Sequence, residues 1–179
     1  VYCGIDWGYN DPFVCVWCAK VDGVWVILDE YYKPHGYLSE HADVLKNHPL
    51  AGQVHHYWCD PSDKQNRIEF RKLGVTCLPA RRPERTTNAS WPVMRARLIN
   101  TLLGRRMQSP WDKDVQIPAL VMFDKISWGV KEWSTLAYEN TAEYKSERVA
   151  VFNRKGREVQ KNASEKIHGF SDHFTDAFG

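Results

Sequence analysis

The chain has 179 residues, 43% of them hydrophobic and 26% charged. That is a folded globular profile, which excludes a disordered polymer and leaves room for one domain with a sizeable core. The formal charge of +2 neither demands nor excludes a nucleic-acid partner, and no stretch reads as a membrane span or a signal peptide.

Five cysteines, Cys3, Cys15, Cys18, Cys59 and Cys77, are odd in number and sit in apolar runs. They read as small buried hydrophobes in a reducing compartment rather than as a disulfide framework. Cys15 and Cys18 have the spacing of a metal or redox pair, but no second such pair follows, so core positions are the better reading. The chain begins directly in a strand-like run and stops at Asp176-Ala-Phe-Gly179. Both ends read as cut, and the expectation is a single domain, 1–179, belonging to a larger protein.

Three strand-like runs open the chain, at 1–7, 13–19 and 24–31. Asn10-Asp11-Pro12 and Val21-Asp22-Gly23 separate them as turn signals, which predicts an antiparallel meander. Leu38, Ala42 and Leu45 then recur at helical spacing, with Gly36 or Ser39 near the start and Pro49 past the end. A fourth strand at 54–59 runs into Asp60-Pro61. Ser62-Asp-Lys-Gln65 follows as a capping-box pattern opening a second helix, with Gly74 as its stop and a short strand at 75–78. Strand, helix and strand in that order imply a parallel crossover, and hence a mixed sheet.

Beyond residue 78 the chain turns arginine-rich. A helix is predicted over 90–103, with Met94, Leu98 and Leu102 as its buried stripe. A strand at 119–123 and a helix at 130–138 come next. Strands at 149–152 and 157–160 flank Asn153-Arg-Lys-Gly156 as a basic hairpin, and Ser171 is placed to cap a last helix carrying Asp172, His173 and Asp176. His55 and His56 read as one inward and one outward strand residue. Glu30, Glu69 and Glu132 read as solvated positions at element edges.

One acidic residue falls inside the first apolar strand: Asp6, within Gly4-Ile-Asp-Trp-Gly8. A carboxylate there is costly unless paired, hydrogen-bonded or bound to a metal. Asp60 ends the fourth strand. Asp172 and Asp176 sit about 40° apart around the last helix, with His173 on the same side. If strands one and four are neighbours and the last helix crosses them, these carboxylates converge. Their mutual repulsion is relieved by a hard divalent cation with oxygen ligands. Taken singly, Asp60 is an ordinary strand-ending turn residue and Asp172 an ordinary first-turn acid. Asp6 is harder to explain away. Gly4 and Gly8 leave room beside it for metal or DNA backbone.

Gly4-Ile-Asp6-Trp-Gly8, Asp11-Pro12, Trp58-Cys-Asp60-Pro61 and Asp172-His-x-x-Asp176-Ala177, in this order, resemble the nuclease domain of phage large terminase subunits. The resemblance covers essentially the whole chain and implies an α/β, RNase H-like mixed sheet flanked by helices. It implies a metal-dependent endonuclease that cuts concatemeric viral DNA during genome packaging, using Mg²⁺ or Mn²⁺ as two ions in the active complex. On it, Asp6 and Asp60 match the strand carboxylates, Asp172 or Asp176 supplies the last-helix ligand, and His173 is auxiliary. Double-stranded DNA is the implied substrate, and the host cell cytoplasm the implied location. An ATPase motor domain in the full-length chain, a portal and a small terminase subunit are the implied partners. No Gly-x-x-x-x-Gly-Lys-Ser/Thr phosphate loop occurs here, so this segment is not expected to hydrolyse ATP.

Duplex DNA requires phosphate contacts around such a pit. Arg81, Arg82 and Arg85 form the tightest basic run, Arg154 and Lys155 lie in the hairpin, and Lys64 and Arg67 stand one turn past Asp60. Arg95 and Arg105 read equally well as solubilising residues of an amphipathic helix. Nothing suggests base-specific readout. A junction resolvase, an RNase H, a transposase-like enzyme, or a non-catalytic module of the same fold that binds DNA or protein are the alternatives.

Overall fold

A computed structural model describes residues 1–80, 91–135, 137–138, 167–168 and 177, with side chains described at 1–80, 94–133 and 177. β1 (Tyr2–Asp6), β2 (Phe13–Val21) and β3 (Val24–Lys33) form the expected antiparallel meander. The β2–β3 connection is a tight two-residue turn in which both Asp22 and Gly23 take positive φ, +48° and +88°. That turn geometry matches the twist of the flanking strands and selects an Asp-Gly pair.

α1 (Leu38–Asn47) follows, and then β4 (His56–Cys59), α2 (Lys64–Lys72) and β5 (Cys77–Pro79). β4 pairs parallel with β1, and β5 parallel with β4. α3 (Trp91–Gly104), a hairpin of β6 (Arg106–Gln108) and β7 (Gln116–Pro118), β8 (Leu120–Met122) and α4 (Trp128–Thr135) complete most of the chain. β9 (Ala137–Tyr138) and β10 (Ile167–His168) form a small antiparallel pair. The main sheet has the order β5-β4-β1-β2-β3-β8, with β8 parallel to β3. Only β2 runs against the rest, so the sheet is mixed, as the strand–helix–strand pattern predicted.

Each face of this sheet carries its own core. Cys3, Ile5, Phe13, Cys15, Trp17, Cys59 and Cys77 pack against Ala42 and Leu45 of α1 and Phe70 of α2. Val14, Val16, Ile27 and Leu120 pack on the other side against Ile99, Ile126 and Ala177. β2 is therefore buried on both faces, as a central strand must be. All five cysteines are buried free thiols, and Cys3, Cys15, Cys59 and Cys77 lie in the first of these cores. Burial pushes the Cys18 thiol up to about 12, so it stays protonated and unreactive at neutral pH.

Several local expectations are corrected. α1 is capped at Tyr37, not Gly36 or Ser39: Glu40 reaches back to accept the Tyr37 N–H at 3.2 Å. α2 starts one residue later than the capping-box reading placed it, because Asp63 rather than Ser62 accepts the Asn66 N–H. In α3 the buried residues are Ala96 and Ile99, while Leu98 is 50% exposed, so the stripe is rotated from the one predicted. α4 ends at Thr135, and Tyr138 belongs to β9. His55 and His56 are both exposed, because β4 starts only at His56 and its N-terminal end stands clear of both cores. The basic hairpin strands and the Ser171 cap lie outside the described residues.

Glu30 and Glu132 are not the solvated acids expected. Glu132 is buried. Glu30 accepts the N–H groups of Ser127, Trp128 and Gly129 at 2.7, 2.8 and 2.9 Å, which places a carboxylate on the N-terminus of α4. Tyr32 stacks on Trp128 beside it, ring centroids 4.4 Å apart. Asp29 joins the same region to α1: it accepts from Lys125 Nζ at 2.6 Å and from His48 Nε2 at 3.3 Å. Burial raises the Asp29 carboxyl, but the Lys125 hydrogen bond, the Glu30 N–H and the Lys125 charge outweigh it, and the net shift is downward.

Candidate functional site

β1 and β4 run parallel, in a register that sets Ile5 opposite Cys59. The next residues along each strand are Asp6 and Asp60. They therefore stand side by side at the C-terminal ends of two neighbouring strands, whose backbones lie about 4.8 Å apart. Both are partly buried. Ile5 belongs to the core covered by α1 and α2, so strand alternation sends Asp6 to the opposite face, the face of its β2 partner Val14.

That opposite face is where Ala177 arrives. Ala177 is helical, 5% exposed, and part of the core around Val14 and Val16. Its carbonyl oxygen occupies the space that a Cβ on Gly4 would fill. Gly4 and Asp6 are two residues apart on one strand and so share this face. The glycine is thus required by close approach of the protein's own backbone rather than by metal or DNA. Gly8 is likewise crowded by the carbonyls of Asp11 and Pro12.

The Asp60 turn is held from two directions. Its Oδ1 accepts the Ser62 N–H at 2.6 Å and the Ser62 hydroxyl, an Asx-type turn that an Asp-Pro-Ser sequence favours. Arg67, in the first turn of α2, donates from Nη1 to the carbonyl oxygens of Asp60 and Pro61 at 3.1 and 2.8 Å. Asp63 caps α2 and also accepts from the Asn66 side chain at 2.6 Å. Trp7, directly after Asp6, packs edge-on against Phe70 of α2 with centroids 4.8 Å apart. α2 is thereby anchored to both acidic strand ends.

The structure brings together Asp6, Asp60, Ser62 and Arg67. Lys64 is exposed at the start of α2, and Arg67 is half-buried with one guanidinium nitrogen on the turn carbonyls. Asp172, His173, Asp176, Arg81, Arg82, Arg85, Arg154 and Lys155 lie outside the described residues. Among the described residues, no three His, Cys, Asp or Glu side chains converge as a metal-binding group. They supply a carboxylate pair and, at Ala177, the position of the residue next to Asp176. Ser62 and Glu30 carry roles that the sequence reading did not assign. The Asx-turn spacing at Asp60 was a usable signal for Ser62, whereas nothing local to Glu30 points across the fold to α4.

A mixed sheet with one reversed strand, helices on both faces and acidic strand ends at its centre is the RNase H-like architecture. Solved structures of similar fold include large terminases. The large terminase of the thermophilic bacteriophage D6E in complex with ATP-gamma-S matches with a TM-score of 0.65 and 16% identity, covering 99% of this chain and 38% of that one. The nuclease domain of the SPP1 large terminase with bound Mn matches at 0.55 with 13% identity, covering 98% and 81%. The nuclease domain of the P22 large terminase matches at 0.54 with 14% identity, covering 99% and 76%. The chain thus has the fold of a terminase nuclease domain, and it spans a little over a third of the D6E terminase chain. No family model matches the sequence, and no curated protein matches it significantly. Among the described residues, no helix is long and apolar enough to cross a membrane.

Proposed function

We propose that this chain is the nuclease domain of a large terminase, a divalent-metal-dependent endonuclease that hydrolyses phosphodiester bonds of concatemeric viral DNA during packaging. The observation that carries this reading is the register of β1 and β4, which puts Asp6 and Asp60 side by side on parallel strand ends. Two carboxylates in that position suit Mg²⁺ or Mn²⁺, which take hard oxygen ligands. Asp6 and Asp60 hold the metal, and Asp172 or Asp176 completes the set from the last helix, with His173 auxiliary. The contact between Ala177 and Gly4 supports that placement of the helix.

When bound, two such cations supply Lewis acidity to phosphodiester hydrolysis. The protein's part is to fix the carboxylates, and Ser62 and Arg67 do so on the Asp60 side. Lys64, with Arg81, Arg82, Arg85, Arg154 and Lys155, contacts phosphates of the duplex. The domain works within a longer chain that carries an ATPase motor, together with a portal and a small terminase subunit, in the host cell cytoplasm. The D6E terminase, bound to ATP-gamma-S, extends well beyond the matched region and supports this arrangement.

Plasmid nicking with Mn²⁺, Mg²⁺ or EDTA tests the proposal. Nicking is expected with either metal, lost in EDTA, and lost in Asp6→Asn and Asp60→Asn. The expected loss exceeds the ~10–100-fold typical of residues that merely support a ligand. Cleavage that survives both chelation and the substitutions would overturn the mechanism. Preference for RNA–DNA hybrids or four-way junctions over linear duplex would move the assignment to another enzyme of this fold.

A further inference from the structure

The two hydrogen bonds from Ser62 fall on one oxygen of Asp60. The backbone N–H and the hydroxyl both reach Oδ1. A carboxylate has about four lone-pair sites over its two oxygens, so these donors take up those of Oδ1. Arg67 meanwhile ties the Asp60 and Pro61 carbonyls to α2, which fixes the turn backbone that carries both Asp60 and Ser62. Asp60 is thus restrained to meet a cation through one oxygen. Ca²⁺ takes six to eight oxygens and often uses carboxylates bidentately, whereas Mg²⁺ holds a compact octahedron satisfied by single oxygens.

We propose that Ser62 is a specificity-determining residue: by saturating Asp60 Oδ1 it confines Asp60 to single-oxygen coordination and disfavours Ca²⁺ relative to Mn²⁺ or Mg²⁺. This rests on the reading of Asp60 as a cation ligand. The hydroxyl is the decisive group, since the backbone N–H remains in any variant. Ser62 acts through Asp60 and is not itself a ligand.

Calorimetric titration of the chain with MnCl₂ and, separately, CaCl₂ tests this in wild type, Ser62→Ala, Ser62→Thr and Asp60→Asn, with circular dichroism confirming the fold of each. Asp60→Asn is expected to weaken both cations. Ser62→Ala should shift the Mn²⁺/Ca²⁺ affinity ratio toward Ca²⁺ by about fivefold, the effect of one hydrogen bond. Ser62→Thr, which keeps a hydroxyl, should retain the wild-type ratio. An unchanged ratio in Ser62→Ala, with Asp60→Asn weakened, overturns the inference alone. Equal weakening of both cations in Ser62→Ala also overturns it, leaving Ser62 as a support of the turn. If Asp60→Asn binds both cations like wild type, Asp60 is not a ligand, and the proposed site fails together with this inference.

Discussion

The carbonyl oxygen of Ala177 lies against the α-carbon of Gly4, in the space a side chain would need. Residue 4 of the first strand is therefore matched to residue 177, and neither backbone can give way without disturbing a buried core. Gly4→Ala is expected to cost about 1–3 kcal/mol, the usual range for overpacking. On the proposed function it should also reduce nicking beyond what lost stability explains, because Ala177 directly follows the proposed ligand Asp176 in the sequence. Urea unfolding and plasmid nicking on the same preparation measure the two effects. Wild-type values for both would sink the account of Gly4.

Glu30→Gln tests the long-range cap of α4. The substitution keeps an oxygen for the Ser127 and Trp128 N–H groups, which share Oε1, but replaces the acceptor of the Gly129 N–H and removes the negative charge that faces all three. A loss of about 1 kcal/mol in unfolding free energy is expected. The Trp128 ring, stacked on Tyr32, provides a local fluorescence signal for loosening of the helix start.

Stability should fall on mild acidification, and two histidines set the window. Burial holds His41 below its ordinary pKa, where it stacks on Phe13 at 4.0 Å and meets the Tyr31 hydroxyl at 3.0 Å. Burial likewise lowers His48, which stacks on Trp17 at 3.8 Å. His48 accepts the Leu50 N–H at Nδ1 and donates from Nε2 to Asp29, the arrangement of a neutral ring. Because both folded-state values lie below the unfolded one, the unfolded chain binds more protons. The stabilisation is then complete above about pH 6.5 and declines as pH drops below it. Asp29, whose pKa is also depressed, adds a further loss only below about pH 4. Denaturation midpoints from pH 8 to pH 5 should trace this decline, and His41→Gln should flatten part of it.

Lys64→Ala should weaken duplex binding uniformly across sequences and reduce the salt slope by about one charge equivalent, the signature of a phosphate contact. Fluorescence anisotropy at several salt concentrations measures this. A sequence-dependent effect would assign Lys64 to base readout instead.

The meander and the crossover were legible because their signals are local. Asp22-Gly23 specifies a tight hairpin, and Gly74 stops α2 with a positive φ of 88°. The neighbouring placement of Asp6 and Asp60 hinges on strands one and four pairing, which the sequence leaves open, and β1 and β4 do pair in parallel. What escaped depended on partners distant in sequence. Leu98 reads as buried because leucines at helical spacing are plausible core, yet it is Ile99 of this helix that enters the core with Leu120 of β8. Glu30 looked like a surface acid because α4, which it caps, begins almost a hundred residues later. Ser62 was read as a helix cap, whereas Asp63 takes that role and Ser62 turns to Asp60.

β1 owes its central place in the sheet to two different kinds of neighbour. β2 folds back on it through a short turn, so that pairing can form while synthesis is under way. β4 arrives only after α1 and its loop, and pairs with β1 by a slower, non-local closure. The two carboxylates are therefore strangers in the nascent chain and meet only once β4 has paired, and the core on the Asp6 face draws on segments as far apart as Val14 and Ala177. A partly synthesised copy that stops short of β4 would hold the meander without its neighbouring carboxylates.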